Sequence, residues 1–210
     1  PMCGGCGAKV GRAALRGALA TLPAVARDDV DIIAGDDAAV LRMGDHRQVI
    51  STDHLRAVTQ DPVMMARIAA VHALGDVWAM GAAPQAALAQ VILPRMSAEM
   101  QQRTLDEIMT AANEVMTDAG AAIVGGHTSL GDTLTIGFTV TGLAEKPLTL
   151  AGGKSGDALI LTKPIGSGVL MAAEMAGQAP GTDVVKALEV MCQAQSKASA
   201  ILRDAHAMTD

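Results

Sequence analysis

The 210-residue sequence predicts an α/β (α+β) fold, a mixed β-sheet covered by helices, followed by an incomplete α+β second unit. Three observations carry this. From Thr133 to Gly142 the residues Leu134, Ile136, Phe138 and Val140 alternate with threonines, the period of a half-buried strand in a mixed or antiparallel sheet. From Pro62 to Met80 the chain is apolar almost all round, which marks a helix buried on every side. Half the residues are hydrophobic but only 1% are aromatic, so the core has to be built from Ala, Val, Ile, Leu and the 13 Met.

Taken in order, the chain opens on Cys3-Gly-Gly-Cys6-Gly-Ala-Lys9, a glycine-rich segment whose backbone can approach a ligand closely. Two readings stand here. The segment is a loop in which Lys9 meets phosphate and favours the Cys6 thiolate, or a tail with incidental cysteines. A zinc site lacks two further ligands at suitable spacing, because Cys192 stands alone far downstream. Residues 11–27 predict a helix with Leu15, Leu19 and Leu22. The paired acids Asp36 and Asp37 precede a strand, and a second strand, Val49–Thr52, stops at Asp53. Asp61-Pro62 predicts an N-cap with proline at the first helical position, and Gly81 the end of that helix.

Ala86–Leu93 predicts a strand, and Ser97 caps a helix that Gly120 ends, with Met100, Leu105, Ile108 and Met116 on its apolar face. A short strand, Ala122–Val124, leads into Gly125-Gly126-His127-Thr128-Ser129, which reads as a tight turn able to contact phosphate. A domain boundary falls between Glu145 and Asp157. The string Gly152-Gly153-Lys154-Ser155 is not a P-loop: Leu148 stands where the first glycine belongs, and a strand, Ala158–Thr162, is expected to follow. Helices near Val169–Met175 and Thr182–Ala205 complete the pattern, Cys192 being an inert buried thiol. The organisation is thus a glycine-rich segment and first helix over 1–20, an α/β domain over 21–150, and the start of a second domain over 151–210.

The buried helix carries Arg67, His72 and Asp76. A lone carboxylate there is costly unless it is paired or metal-bound. Arg67 reads as a partner for a buried acid, and the role of His72 is open. Asp36-Asp37, Asp53 and Asp76 form three acidic stations of hard oxygen ligands, which suit Mg²⁺ bridging carboxylates to phosphates. A net charge of −6 without a basic stripe argues against nucleic acid. The apolar run Val77–Pro94 is broken by Gly81, Pro84, Gln85 and Gln90, so no membrane span is expected. Three cysteines and no leader-like start point to a reducing cytoplasm.

The strings GCGAKVG, GDDAAVL, STD, ARIAAVHALGDVWAMG, GGHTS, LTKPIGSGVL and AMTD, in this order, resemble selenophosphate synthetase (selenide, water dikinase), over essentially the whole chain. That family belongs to the superfamily of aminoimidazole ribonucleotide synthetase. DDAAV and D-x-x-AMG are shared across the superfamily and imply ATP and Mg²⁺, whereas the Cys-Gly-x-Lys start discriminates the family. The resemblance implies Cys6 as the catalytic thiol and Lys9 as a catalytic, ATP-contacting lysine. It implies nucleotide contacts at Ala34, Gly35, Asp36, Asp53 and Asp76, and Mg²⁺ ligands at Asp37, Asp76 and Asp210. Gly126, His127 and Thr128 match a segment that reaches the partner subunit's nucleotide, which implies a homodimer. The implied reaction converts ATP, selenide and water into selenophosphate, AMP and phosphate, for selenocysteine and selenouridine synthesis.

Two departures stand out: Ala8 where many relatives have a second cysteine, and His72 where Asn is common. Ending at Asp210 and starting at Pro1, the chain reads as a piece of a larger polypeptide, with weak or no turnover expected of the piece itself. Other readings are another Mg²⁺–ATP kinase or synthetase of the superfamily, a noncatalytic ATP-binding dimer module, and a Cys3–Cys6 redox or zinc protein.

Overall fold

The computed structural model describes residues 10–23, 27–31 and 36–210. Its elements are α1 (Arg12–Leu19), β1 (Val30–Asp31), β2 (Ala39–Met43), β3 (His46–Arg56), α2 (Pro62–Ala79), β4 (Ala83–Pro94) and α3 (Ala98–Asp118). β5 (Ala122–Gly131), β6 (Thr135–Ala144), α4 (Ser167–Met175), α5 (Gly181–Met191) and α6 (Ser196–Ile201) follow. The strands form one mixed sheet in the order β1-β2-β3-β6-β4-β5. Every neighbouring pair is antiparallel except β4 and β5, which are joined through α3 and run parallel.

The sheet packs one face on α2 and α3, and the core lies between. Ile136, Phe138 and Val140 of β6 are buried, as their alternation predicts, and meet Met65, Leu74 and Val77 of α2 in one cluster. Helix α2 touches β3, β4 and β6 on one side and α3, α5 and α6 on the others. That enclosure explains its lack of a polar face. Its start is held by Asp61, whose carboxylate accepts from the N–H groups of Val63 and Met64, and Gly81 closes it at φ 66°. Gly142 lets the helix approach, since a Cβ there would come within 2.5 Å of Val77 Cγ1. On the other face of the sheet Leu88, Ile92 and Leu143 are exposed.

Several expectations are corrected. Helix α1 ends at Leu19 instead of running to 27, because Pro23 disfavours helical geometry at Leu22. Strand β3 runs on through Asp53 to Arg56, since β6 offers a continuous antiparallel partner from Thr135 to Ala144. Gly125–Ser129 is strand, not turn: it pairs in parallel with Leu88–Ile92 of β4. Ala158–Thr162 forms no strand, because it has no ladder partner among the described residues, and Leu159 is 100% exposed. The helix expected over 182–205 is two helices, interrupted where Lys163 Nζ donates to the Gln193 carbonyl at 2.9 Å. Cys192 at that break is half-buried beside Met64, and burial pushes its thiol pKa up, consistent with an unreactive group.

A carboxylate cluster at the end of the buried helix

Asp37 stands immediately before β2, Asp76 in the last turn of α2, and Asp210 on the segment after α6. Far apart in sequence, their carboxylates offer ligand atoms that all lie within 4.8 Å of one another. These are the three residues expected to hold metal. Asp76 is buried and accepts a short hydrogen bond from Ser51 Oγ of β3, and Asp37 Oδ1 accepts from Thr209 Oγ1 at 3.1 Å. Asp37 Oδ2 is buried with no hydrogen-bond partner among the described residues.

Such a cluster is electrostatically unfavourable when fully ionised. Burial, then the charges of Asp210, Asp53 and Asp37, push the pKa of Asp76 up to about 6, against the opposing Ser51 hydrogen bond. Burial and Asp210 likewise raise Asp37. A hard divalent cation removes this repulsion and gives the orphaned Asp37 oxygen a partner. Three carboxylates without sulfur or nitrogen are the donor set of Mg²⁺ or Mn²⁺. Beside the cluster opens a groove of about 370 Å³ lined by Asp36, Asp37, Ala39, Ile50, Ser51 and Thr52.

Asp53 lies on β3 two residues after Ser51, and its Oδ2 is 2.9 Å from His72 Nε2, one turn before Asp76 on α2. That hydrogen bond raises the His72 pKa against the effect of burial. His72 is therefore tied to an acid of the site. Arg67 is not: it bridges Glu114 of α3 at 3.0 Å, with both side chains about half exposed, so the expected buried-acid partnership is corrected. Asp36 Oδ1 accepts from the Leu150 N–H at 2.6 Å, fastening the chain after β6 to the groove.

Cys6, Lys9, Ala34 and Gly35 lie outside the described residues. Gly126, His127 and Thr128 are not at the cluster. Asp53, Phe138, Ala89 and Gly126 stand in register across β3, β6, β4 and β5, three strand spacings or roughly 14 Å apart. Three neighbours of the cluster escape sequence reasoning: Ser51, Thr209 and Gly75. Only Gly75 left a signal, as a glycine inside a helix where alanine is favoured. A Cβ there would sit 3.3 Å from Asp210 Oδ2, so the bare position makes room for that carboxylate.

A six-stranded mixed sheet with an acidic cluster at the C-terminal end of its buried helix is the setting in which the comparisons with known proteins fall. The profile of AIR synthase related protein, N-terminal domain, matches residues 35–144, just over half of the chain, and the chain belongs to that family. Over nearly its whole length it is also similar to proteins named selenide, water dikinase. It is 36% identical to the one from Caldanaerobacter subterraneus subsp. tengcongensis, over 95% of this chain and 58% of that protein. To the one from Desulfitobacterium hafniense (strain Y51) it is 38% identical, over 99% of this chain and 62% of that protein. The chain thus spans about three-fifths of the length of these relatives. Among solved structures, the thiamine monophosphate kinase from Aquifex aeolicus superposes with a TM-score of 0.68 at 17% identity, covering 81% of this chain and 60% of that one, a likeness of fold. No helix among the described residues is long and apolar enough to cross a membrane.

Proposed function

We propose that this protein acts as a selenide, water dikinase, forming selenophosphate, AMP and phosphate from ATP, selenide and water. The observation that carries the reading is the convergence of Asp37, Asp76 and Asp210, with one buried Asp37 oxygen unpartnered, in a chain similar to proteins of that name. In balance, two phosphoanhydride bonds break. One phosphoryl group ends on selenium, the other on water, and AMP remains.

Asp37, Asp76 and Asp210 would hold Mg²⁺, which neutralises charge on the phosphoryl oxygens when bound. Asp36 lines the groove where the nucleotide would lie, Asp53 follows the groove residue Thr52 on β3, and His72 holds the Asp53 carboxylate in place. Cys6 presents a thiol to the selenide, and Lys9 adds a point charge on the phosphates. Ala34 and Gly35 complete the nucleotide contacts. The segment Gly126–Thr128 serves the partner subunit's nucleotide, in a homodimer built on the sheet. Its distance from this chain's own cluster supports that reading. Residues 151–210 are the beginning of a second domain, 21–150 the nucleotide domain and 1–20 the catalytic segment with the first helix, in a cytoplasmic protein.

Incubation of the full-length protein with ATP, Mg²⁺ and selenide under anaerobic, reducing conditions, followed by phosphorus NMR, tests this. Selenide-dependent AMP with a new phosphorus–selenium resonance, absent in Cys6→Ser, is the expected result. ADP as the product, or AMP independent of selenide and Cys6, would leave only Mg²⁺–ATP chemistry of the wider family.

A further inference from the structure

The Gly152–Gly156 string has no part in the function as described so far, yet it is bolted to the site at both ends. At its start the Leu148 N–H donates to the Met80 carbonyl at the end of α2 (3.0 Å), and the Leu150 N–H to Asp36 (2.6 Å). At its far end Asp157 closes the loop on itself, Oδ2 accepting from the Lys154 N–H at 2.7 Å. The other oxygen of Asp157 meets His206 Nδ1 at 2.7 Å, and Lys154 Nζ lies 3.2 Å from His206 Nε2. With the ammonium as donor, Nε2 accepts and the Nδ1–H donates to Asp157.

Both nitrogens of one imidazole are therefore engaged by a single loop. Gly152 adds a close approach, since a Cβ there would collide with the His206 carbonyl oxygen. Three residues beyond His206, Thr209 donates to Asp37, and Asp210 joins Asp37 and Asp76.

We propose that Lys154, Asp157 and His206 form a clasp that positions Thr209 and Asp210, so that Asp210 reaches the cation site. They are positioning residues. The inference rests on the reading of Asp37, Asp76 and Asp210 as that site. His206 and Asp157 are 46% and 31% exposed, and a pair so open to solvent adds little to global stability. Its loss should fall on the segment it holds and not on the fold.

The test is Mn²⁺ binding to the nucleotide-free protein, with free Mn²⁺ read by electron paramagnetic resonance, for wild type, Asp210→Asn, His206→Ala, Asp157→Ala and His206→Asn. Asp210→Asn, which removes a ligand, should bind Mn²⁺ at least about tenfold more weakly than wild type. His206→Ala and Asp157→Ala should each weaken it about tenfold, the scale of an outer-shell partner, with melting temperatures within a few degrees of wild type. His206→Asn, whose amide nitrogen takes the place of Nδ1, should recover most of the loss.

Wild-type affinity in both alanine variants alongside a weakened Asp210→Asn would overturn the clasp alone. Equal loss in His206→Ala and His206→Asn would also overturn it, because the bond to Asp157 would not be what holds the segment. Wild-type affinity in Asp210→Asn would sink the cation reading, and the clasp with it.

Discussion

Asp76 sits among three other carboxylates with one serine hydroxyl for company, and its protonation should be visible in the stability of the metal-free protein. Its folded pKa of about 6 lies above the ordinary carboxylate value. The folded state therefore holds a proton that the unfolded chain has released. The stabilisation is complete below the ordinary value and is lost as pH rises through about 6. In a chelator, the melting temperature should thus fall between about pH 4 and pH 6 and level off above. Asp76→Asn should flatten that fall and melt a few degrees above wild type at neutral pH, and it should abolish the stabilisation by Mg²⁺ expected of wild type. His72 is raised in the same sense, but from a higher ordinary value, so its contribution is lost at higher pH. Parallel melting curves for wild type and Asp76→Asn would mean that Asp76 is not the group responsible.

At the scale of the element, α2 serves both the core and the site, and Gly75 is where the two demands conflict. Alanine favours a helix interior by about 1 kcal/mol over glycine. Gly75→Ala adds a methyl group 3.3 Å from the Asp210 carboxylate, closer than ordinary contact. The variant should keep or slightly raise the melting temperature while weakening Mn²⁺ binding severalfold. A gain in stability with unchanged metal affinity would show that the Asp210 segment yields without cost. This element also shows what the sequence made legible. The span of α2, its Asp61 cap, its Gly81 stop and the need of Asp76 for a partner follow from local chemistry. Ser51 and Thr209 do not, because serine and threonine occur everywhere, and only the β3 register and the returning chain bring them to the acids. The strand expected at Ala158–Thr162 failed for the opposite reason: apolar β-branched composition is local, but a strand needs a partner that this stretch of sequence does not itself supply.

Across the whole molecule, the sheet separates two groups that the proposed chemistry needs together. Asp53 and Gly126 lie in register at positions three strands apart, and the strands between them hold that spacing rigidly. No side-chain motion of His127 closes roughly 14 Å. If His127 serves a nucleotide site, a two-fold partner is the simplest way to bring it there. Exposed Leu88, Ile92 and Leu143 give the face of the sheet away from α2 and α3 apolar surface for such a partner. Subunit mixing tests the geometry directly. Cys6→Ser and His127→Ala chains, each inactive alone in the full-length protein, should recover about a quarter of wild-type activity when unfolded together and refolded. Half of the dimers are then mixed, and each holds one site with both residues intact. If instead Cys6 and His127 serve the same site from one chain, every site in the mixture lacks one of them and activity stays at the level of the single variants. Recovery would establish that the active site is shared between subunits, and it would explain why a residue so far from the acidic cluster carries a functional side chain.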